Sequence, residues 1–174
     1  MKVIFLDIDG VLNCSEYRRR QMLQGKISVI LQVEPLSQLK RIVEATDASI
    51  VLISSWRKFW KREGSVDTAG QQIEQRLSNF GLFVADKTPV LSDGSRSREV
   101  AQWLKNKNYV EHYVILDDKD YLWDRKQTLH WVRCPDETGL TDELATAAIN
   151  ILNGQLPTHR KKSRLETIFR KWFH

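Results

Sequence analysis

Near the N-terminus two aspartates, Asp7 and Asp9, stand one residue apart and are followed by Gly10. They come directly after Val3-Ile4-Phe5-Leu6, an apolar run whose length suits a buried strand and is too short for a core helix. A carboxylate at the end of a buried strand stays charged only if it is paired or bound to a cation. A hard divalent cation with oxygen ligands, Mg²⁺ above all, meets that need and binds phosphate oxygens as well. Gly10 lets the chain turn away sharply. A turn beginning after Asp7 separates the two carboxylates, so that one can attack a substrate while the other protonates the leaving group. Carboxylates act as covalent nucleophiles of this kind in forming aspartyl-phosphates. The plainer alternative, a surface Asp-Gly turn, suits a lone acidic pair better than one that closes a buried run.

Two further sites have the same form. Asp117 and Asp118 follow the apolar run Tyr113-Val-Ile-Leu116, and adjacent carboxylates repel each other unless a cation lies beside them. Ser54 follows Ile50-Val-Leu-Ile53. Its hydroxyl, or the N–H groups of the next turn, can hold a phosphoryl oxygen, although a serine in this position can also simply cap a helix. Asp120 and Asp124 are expected to be solvated loop carboxylates.

The elements that must position these residues alternate between strand and helix. Strands are expected at 2–6, 49–53, 82–84, 113–116 and, more weakly, 129–132. Helices are expected at 35–46, with Leu36, Leu39, Ile42 and Val43 on one face and Pro35 in the first turn; at 69–80, closed by Gly81; at 99–106, burying Val100, Trp103 and Leu104; and at 141–152, with Thr141 as N-cap. Residues 14–34 are polar and suggest a loop or small insertion, and 56–62 a helix or lid. This order predicts a parallel sheet with helices on both faces. Ligands in such sheets bind at the carboxyl ends of the strands, where Asp7, Ser54 and Asp117 all fall.

The segment FLDIDGVLN resembles the first motif of the haloacid dehalogenase (HAD) superfamily of aspartate-nucleophile phosphohydrolases. The resemblance implies that Asp7 is the nucleophile and a Mg²⁺ ligand. Asp9 would be the general acid/base and would bind Mg²⁺ through its backbone carbonyl. Ser54, with Ser55 as the alternative, matches the second motif. Asp117 matches the fourth as a ligand, and Asp118 as a ligand through water or as support for Asp117. The third motif requires a cation to balance phosphoryl charge; Arg96 is the candidate and Arg98 the runner-up, where family members often carry lysine. Ser55, Gly10 and Arg57 join Ser54 as candidate substrate contacts. The pattern SSWR after the second strand, with Gly139-Leu140 before the last helix, is similar to small HAD domains of RNA-repair proteins. The implied fold is α/β, a three-layer Rossmann-like parallel sheet with a minimal or absent cap. The implied activity is Mg²⁺-dependent phosphomonoester hydrolysis through an aspartyl-phosphate. An open site suits a large phosphorylated substrate such as a nucleic-acid end.

Composition sets bounds. The chain has 174 residues, 41% hydrophobic and 28% charged, as expected of one ordinary globular domain. No apolar run reaches the roughly 20 residues that span a bilayer, and the first strand begins at once, so neither a leader nor an anchor is expected. Cys14 and Cys134 lack metal-ligand spacing, and reduced thiols in the cytoplasm are the expectation. The net charge of +5 lies in 158–174, where six Lys and Arg face Glu166 alone; the preceding 157 residues hold 21 basic and 21 acidic residues. A HAD-like domain at 1–155 and a basic tail at 156–174 follow. In the tail, Leu165, Ile168, Phe169, Trp172 and Phe173 have the spacing of an amphipathic helix. That helix could pack on the domain, dock a partner or lie on an anionic membrane surface. The run from Trp56 to Arg62 interleaves aromatic and basic residues, a pattern that suits either base stacking or a helix with Phe59 and Trp60 in the core. A non-catalytic HAD-fold module recruited by the tail to nucleic acid or membrane is the competing function.

Overall fold

The computed structural model describes residues 1–24, 31–61 and 68–157. The apolar runs form strands β1 (Lys2–Leu6), β2 (Ser49–Leu52), β3 (Val84–Lys87), β4 (His112–Asp117) and β5 (Trp131–Arg133). All pair in parallel, in the spatial order β3-β2-β1-β4-β5. The helices are α1 (Ser15–Leu23), α2 (Val33–Thr46), α3 (Thr68–Ser78), α4 (Arg96–Leu104), α5 (Arg125–His130) and α6 (Asp142–Leu152).

Side chains alternate across a strand, and the alternation sorts the core into two halves. Ile4, Leu6, Ile50, Leu52, Val114 and Leu116 face α2 and α6, burying Leu36, Leu39, Ile42, Ala145, Ala148 and Ile151. Val3, Phe5, Val51, Ile53 and Ile115 face the opposite way, onto Val100 and Trp103 of α4 and onto Trp123. The Phe5 ring meets Trp103 edge-on, with centroids 5.2 Å apart. The fold is therefore a three-layer, Rossmann-like α/β sandwich.

Register decides what the carboxyl edge presents. Leu6 lies level with Leu52 on one side and Leu116 on the other. The ladder runs one residue further: Asp7 N–H donates to Leu116 O at 2.9 Å, and Ile53 N–H donates to Leu6 O at 3.0 Å. Asp7 and Asp117 therefore leave adjacent strands at the same level, and Ser54 follows one residue further along beyond β2. Gly139 pins the loop beyond Asp9. At φ +71° a Cβ would sit 2.8 Å from Val11 O, and Leu140 N–H donates to that same carbonyl at 2.9 Å.

Several boundaries differ from the expected ones. Within 14–34, Ser15–Leu23 is helical but buries no residue; a helix polar all round carries no periodicity to reveal it. Pro35 lies in the first turn of α2, which starts at Val33. Leu82 is buried in the turn before β3, so the strand lies two residues later than expected. α4 starts at Arg96, three residues earlier than expected, because Ser95 caps it by accepting the Arg98 N–H. The weak strand at 129–132 is the junction of α5 and β5. Asp124, expected as a solvated carboxylate, caps α5 in a reciprocal capping box with Gln127. Residues 56–62 hold a 3-10 turn, Ser55–Lys58; Trp60 is buried while Phe59 is 42% exposed. Arg62 and the tail from 158 onward lie outside the described residues. No helix among the described residues is long and apolar enough to cross a membrane.

Candidate active site

Asp7 closes β1 and is only 5% exposed. Asp117 closes β4 and is completely buried. One guanidinium nitrogen of Arg96, Nη1, lies 3.2 Å from Asp7 Oδ1 and 3.0 Å from Asp117 Oδ2. Arg96 is the first residue of α4, where a cation runs against the helix dipole; the two carboxylates hold it there. The Tyr121 ring covers its other side, with Cζ 4.4 Å from the ring centroid. Burial works against the Arg96 charge, but Asp7 and Asp117 outweigh it and hold the guanidinium above its ordinary pKa.

Asp118 completes an acidic cluster. One oxygen from each of Asp7, Asp117 and Asp118 lies within 4.8 Å of the other two. Three carboxylates face the Arg96 guanidinium, and the largely exposed Lys119 ammonium lies 4.0 Å from Asp118 Oδ2, so the carboxylates outnumber the nearby cations. Burial, and then the nearby Asp7, push the Asp117 carboxyl up to about 7, with Arg96 pulling the other way. Burial raises Asp118 as well; Asp7 and Asp136 add to the shift, and Lys119 opposes it. Asp118 Oδ1 is buried without a hydrogen-bond partner among the described residues. Such an oxygen needs a donor or a cation. A divalent ion would meet both needs, so this donor set fits Mg²⁺.

Gly10 serves the same cluster. It turns at φ +82°, and a Cβ there would lie 2.6 Å from Asp118 Cγ. Its N–H donates to Asn13 O at 2.9 Å and to Asn13 Oδ1 at 3.1 Å, so its part is to leave room for Asp118.

Asp9 stands outside the acidic cluster. Its Oδ2 accepts the Trp56 indole N–H at 2.8 Å, and its Oδ1 accepts from Asn13 Nδ2 at 3.0 Å. Arg18 Nη1 in turn donates to both oxygens of Asn13 at 2.8 Å, and Arg18 pairs with Asp136 at 2.9 Å. The sequence does not announce the roles of Arg18 and Tyr121; it offers Asn13 only as the end of FLDIDGVLN, and Trp56 only as part of SSWR and of the aromatic-basic run, not as partners of Asp9.

Ser54 is buried and its Oγ accepts the Trp56 N–H at 3.4 Å, which leaves the hydroxyl proton free to donate; Ser55 is exposed. Arg57 is turned inward. Nη1 donates to Ile53 O and Ser54 O, and Nη2 pairs with Glu99 at 2.7 Å. Its side chain therefore braces the serine turn from within. Arg98 pairs with Asp93 on the surface, away from the acidic cluster.

A family described as the HAD domain in Swiss Army Knife RNA repair proteins matches residues 3–145. No curated protein and no solved structure matches the chain.

Proposed function

The chain belongs to the family of HAD domains found in Swiss Army Knife RNA repair proteins, and on that premise we propose that it is a Mg²⁺-dependent phosphomonoesterase with Asp7 as nucleophile. The observation that carries this reading is the convergence of Asp7, Asp117 and Asp118 around Arg96 at the carboxyl edge of the sheet. Asp7, Asp117 and Asp118 would hold the ion with their carboxylates, and Asp9 with its backbone carbonyl. When bound, the ion supplies positive charge against the phosphoryl oxygens.

The protein's own groups perform the steps. Asp7 attacks phosphorus, an aspartyl-phosphate forms, and the bond to the leaving oxygen breaks as Asp9 delivers a proton to that oxygen. Asp9 then accepts a proton from the water that attacks the aspartyl-phosphate, and phosphate departs with Asp7 restored. Ser54 donates its hydroxyl to a phosphoryl oxygen. Arg96 offsets charge on Asp7 and on the oxygens that approach it.

The substrate class we propose is a phosphorylated nucleic-acid end. Two observations support it. Between β1 and β2 the described residues form only α1 and α2, and an insertion that short suits a large substrate. Phe59, Lys58 and Lys61 are exposed beside the serine turn, where an aromatic ring and cations suit a base and its backbone. The free, buried Cys14 and Cys134 suit a reducing, cytoplasmic setting.

The test is phosphate release with Mg²⁺, wild type beside Asp7→Asn, on nucleotides, sugar phosphates and 5′- and 3′-phosphorylated oligonucleotides. The expected result is Asp7-dependent release, fastest on the oligonucleotides. Equal background release from both proteins on every substrate would point instead to a HAD fold kept for binding.

A further inference from the structure

Asp9 and Trp56 are 47 positions apart in the chain and meet by a hydrogen bond of 2.8 Å. Each Asp9 oxygen takes one donor, Oδ2 from the Trp56 indole and Oδ1 from the Asn13 amide. Both donors are themselves fixed. Asn13 is held by Arg18, which Asp136 anchors. Trp56 sits on the 3-10 turn that Arg57 ties to Ile53 O, Ser54 O and Glu99, and its ring lies against Phe59 with centroids 5.9 Å apart. The Lys87 ammonium closes the far end of that turn by donating to Arg57 O and Trp60 O at 2.9 and 2.8 Å.

We infer that Trp56 is the positioning residue that aims Asp9 at the leaving oxygen and ties its placement to that of Ser54. This inference rests on the reading of Asp9 as general acid. A free aspartate side chain rotates about two bonds, whereas one held at both oxygens presents a single direction. Ser54 and Trp56 share one braced turn, so the group that holds the phosphoryl oxygens and the group that steers the proton donor move as a unit. Misplacing a catalytic group by about 1 Å costs on the order of 10²-fold in rate, and general acid catalysis as a whole contributes roughly 10²–10⁴-fold.

Leaving-group dependence separates aiming from folding. p-Nitrophenyl phosphate releases a stable phenolate that has little need of a proton. Phenyl phosphate releases an oxygen whose pKa is close to that of tyrosine, about 10, and depends on the acid. The quantity read is the ratio of kcat/KM for the first ester to that for the second, with Mg²⁺ present throughout. Trp56→Phe and Trp56→Leu both delete the indole N–H and are assayed side by side, so that misfolding of one leaves the other to decide. The expected result is a ratio at least about tenfold above wild type in the Trp56 variants, and higher still in Asp9→Asn. A raised ratio in Asp9→Asn with a wild-type ratio in the Trp56 variants overturns the inference and leaves Asp9 as the acid. An unchanged ratio in Asp9→Asn overturns the reading of Asp9 and this inference together.

Discussion

Arg57 and Arg96 are both buried guanidinium groups at the carboxyl edge of the sheet, and their surroundings differ in charge balance. Arg57 faces one carboxylate, Glu99, whose other oxygen accepts the Leu91 N–H at 3.0 Å. Among the described residues the remaining contacts of Arg57 go to backbone carbonyls, and its Nε has no partner. Burial lowers the Arg57 pKa against the pull of Glu99. Arg96 is instead raised by Asp7 and Asp117 against the cost of burial, and Asp118, clustered with those two, has an oxygen without a partner among the described residues. One arrangement is closed and neutral, and it braces the serine turn against α4. The other gathers more carboxylates than cations. Burial of charge does not by itself mark a site of chemistry, since structural pairs are buried too; what separates the two arginines is the balance of charge around them.

The largest effect that could break this contrast lies in Asp7. Asp7→Asn is expected to lower phosphate release by roughly 10⁴-fold or more, the scale seen when a nucleophile is removed. It should leave the thermal melt close to that of wild type, because it removes a repelling charge from Asp117. A substantial residual rate, measured against a blank, would make another group the nucleophile. Arg57 should behave in the opposite sense. Arg57→Met leaves Glu99 buried without its cation and is expected to cost about 3–5 kcal/mol in urea unfolding, whereas the pair Arg57→Met with Glu99→Leu should recover much of that loss. Equal instability of the single and double variants would remove the claim that the pair is a closed unit.

Mg²⁺ provides an intermediate test. At about 100 times its dissociation constant a ligand that binds only the folded state adds about 2.7 kcal/mol. For a chain of this size that is a rise in melting temperature of roughly 5–10 °C. The rise is expected in wild type, in Asp118→Asn only in reduced form, and undiminished in a stable Arg57/Glu99 double variant. A full response in Asp118→Asn would leave the orphaned Asp118 oxygen with another explanation.

Much of the carboxyl edge could be anticipated from sequence because its causes are local. Apolar runs of strand length end at Asp7, Ser54 and Asp117, and parallel sheets collect such ends. The side-by-side meeting of those three ends comes from the strand order, which places β1 between β2 and β4 and which no local pattern encodes. The supports of Asp9 and Arg96 were hidden for the same reason. Trp56 reaches Asp9 across 47 residues, and Tyr121 reaches Arg96 from a different loop. The sequence singles out Arg96 as the third-motif cation but offers Arg57 only as a substrate contact, because the partner that neutralises Arg57, Glu99, lies 42 positions away. The helix α5 was legible in principle. Asp124-Arg-Lys-Gln127 is a capping-box spacing, but six residues give too little periodicity to outweigh the strand-like Leu129 to Val132.

A pH dependence sharpens the contrast at its most buried member. Asp117 has its carboxyl raised from an ordinary 3.8 to about 7, chiefly by burial. Below pH 4 the folded and unfolded chains both carry the proton, and the group contributes nothing. Between about pH 4 and pH 7 the unfolded chain has lost the proton while the folded chain keeps it, so stability must fall as the pH rises through that window. Above about pH 7 the loss is complete and constant. Asp117→Asn cannot titrate. The stability of metal-free wild type relative to Asp117→Asn should therefore decline from pH 4 to pH 7 and then level off. Saturating Mg²⁺ should flatten the decline, because a cation stabilises the ionised carboxylate that burial disfavours. A flat difference without metal would mean that Arg96 alone neutralises Asp117, and the imbalance that separates the two arginines would then rest on Asp7 and Asp118.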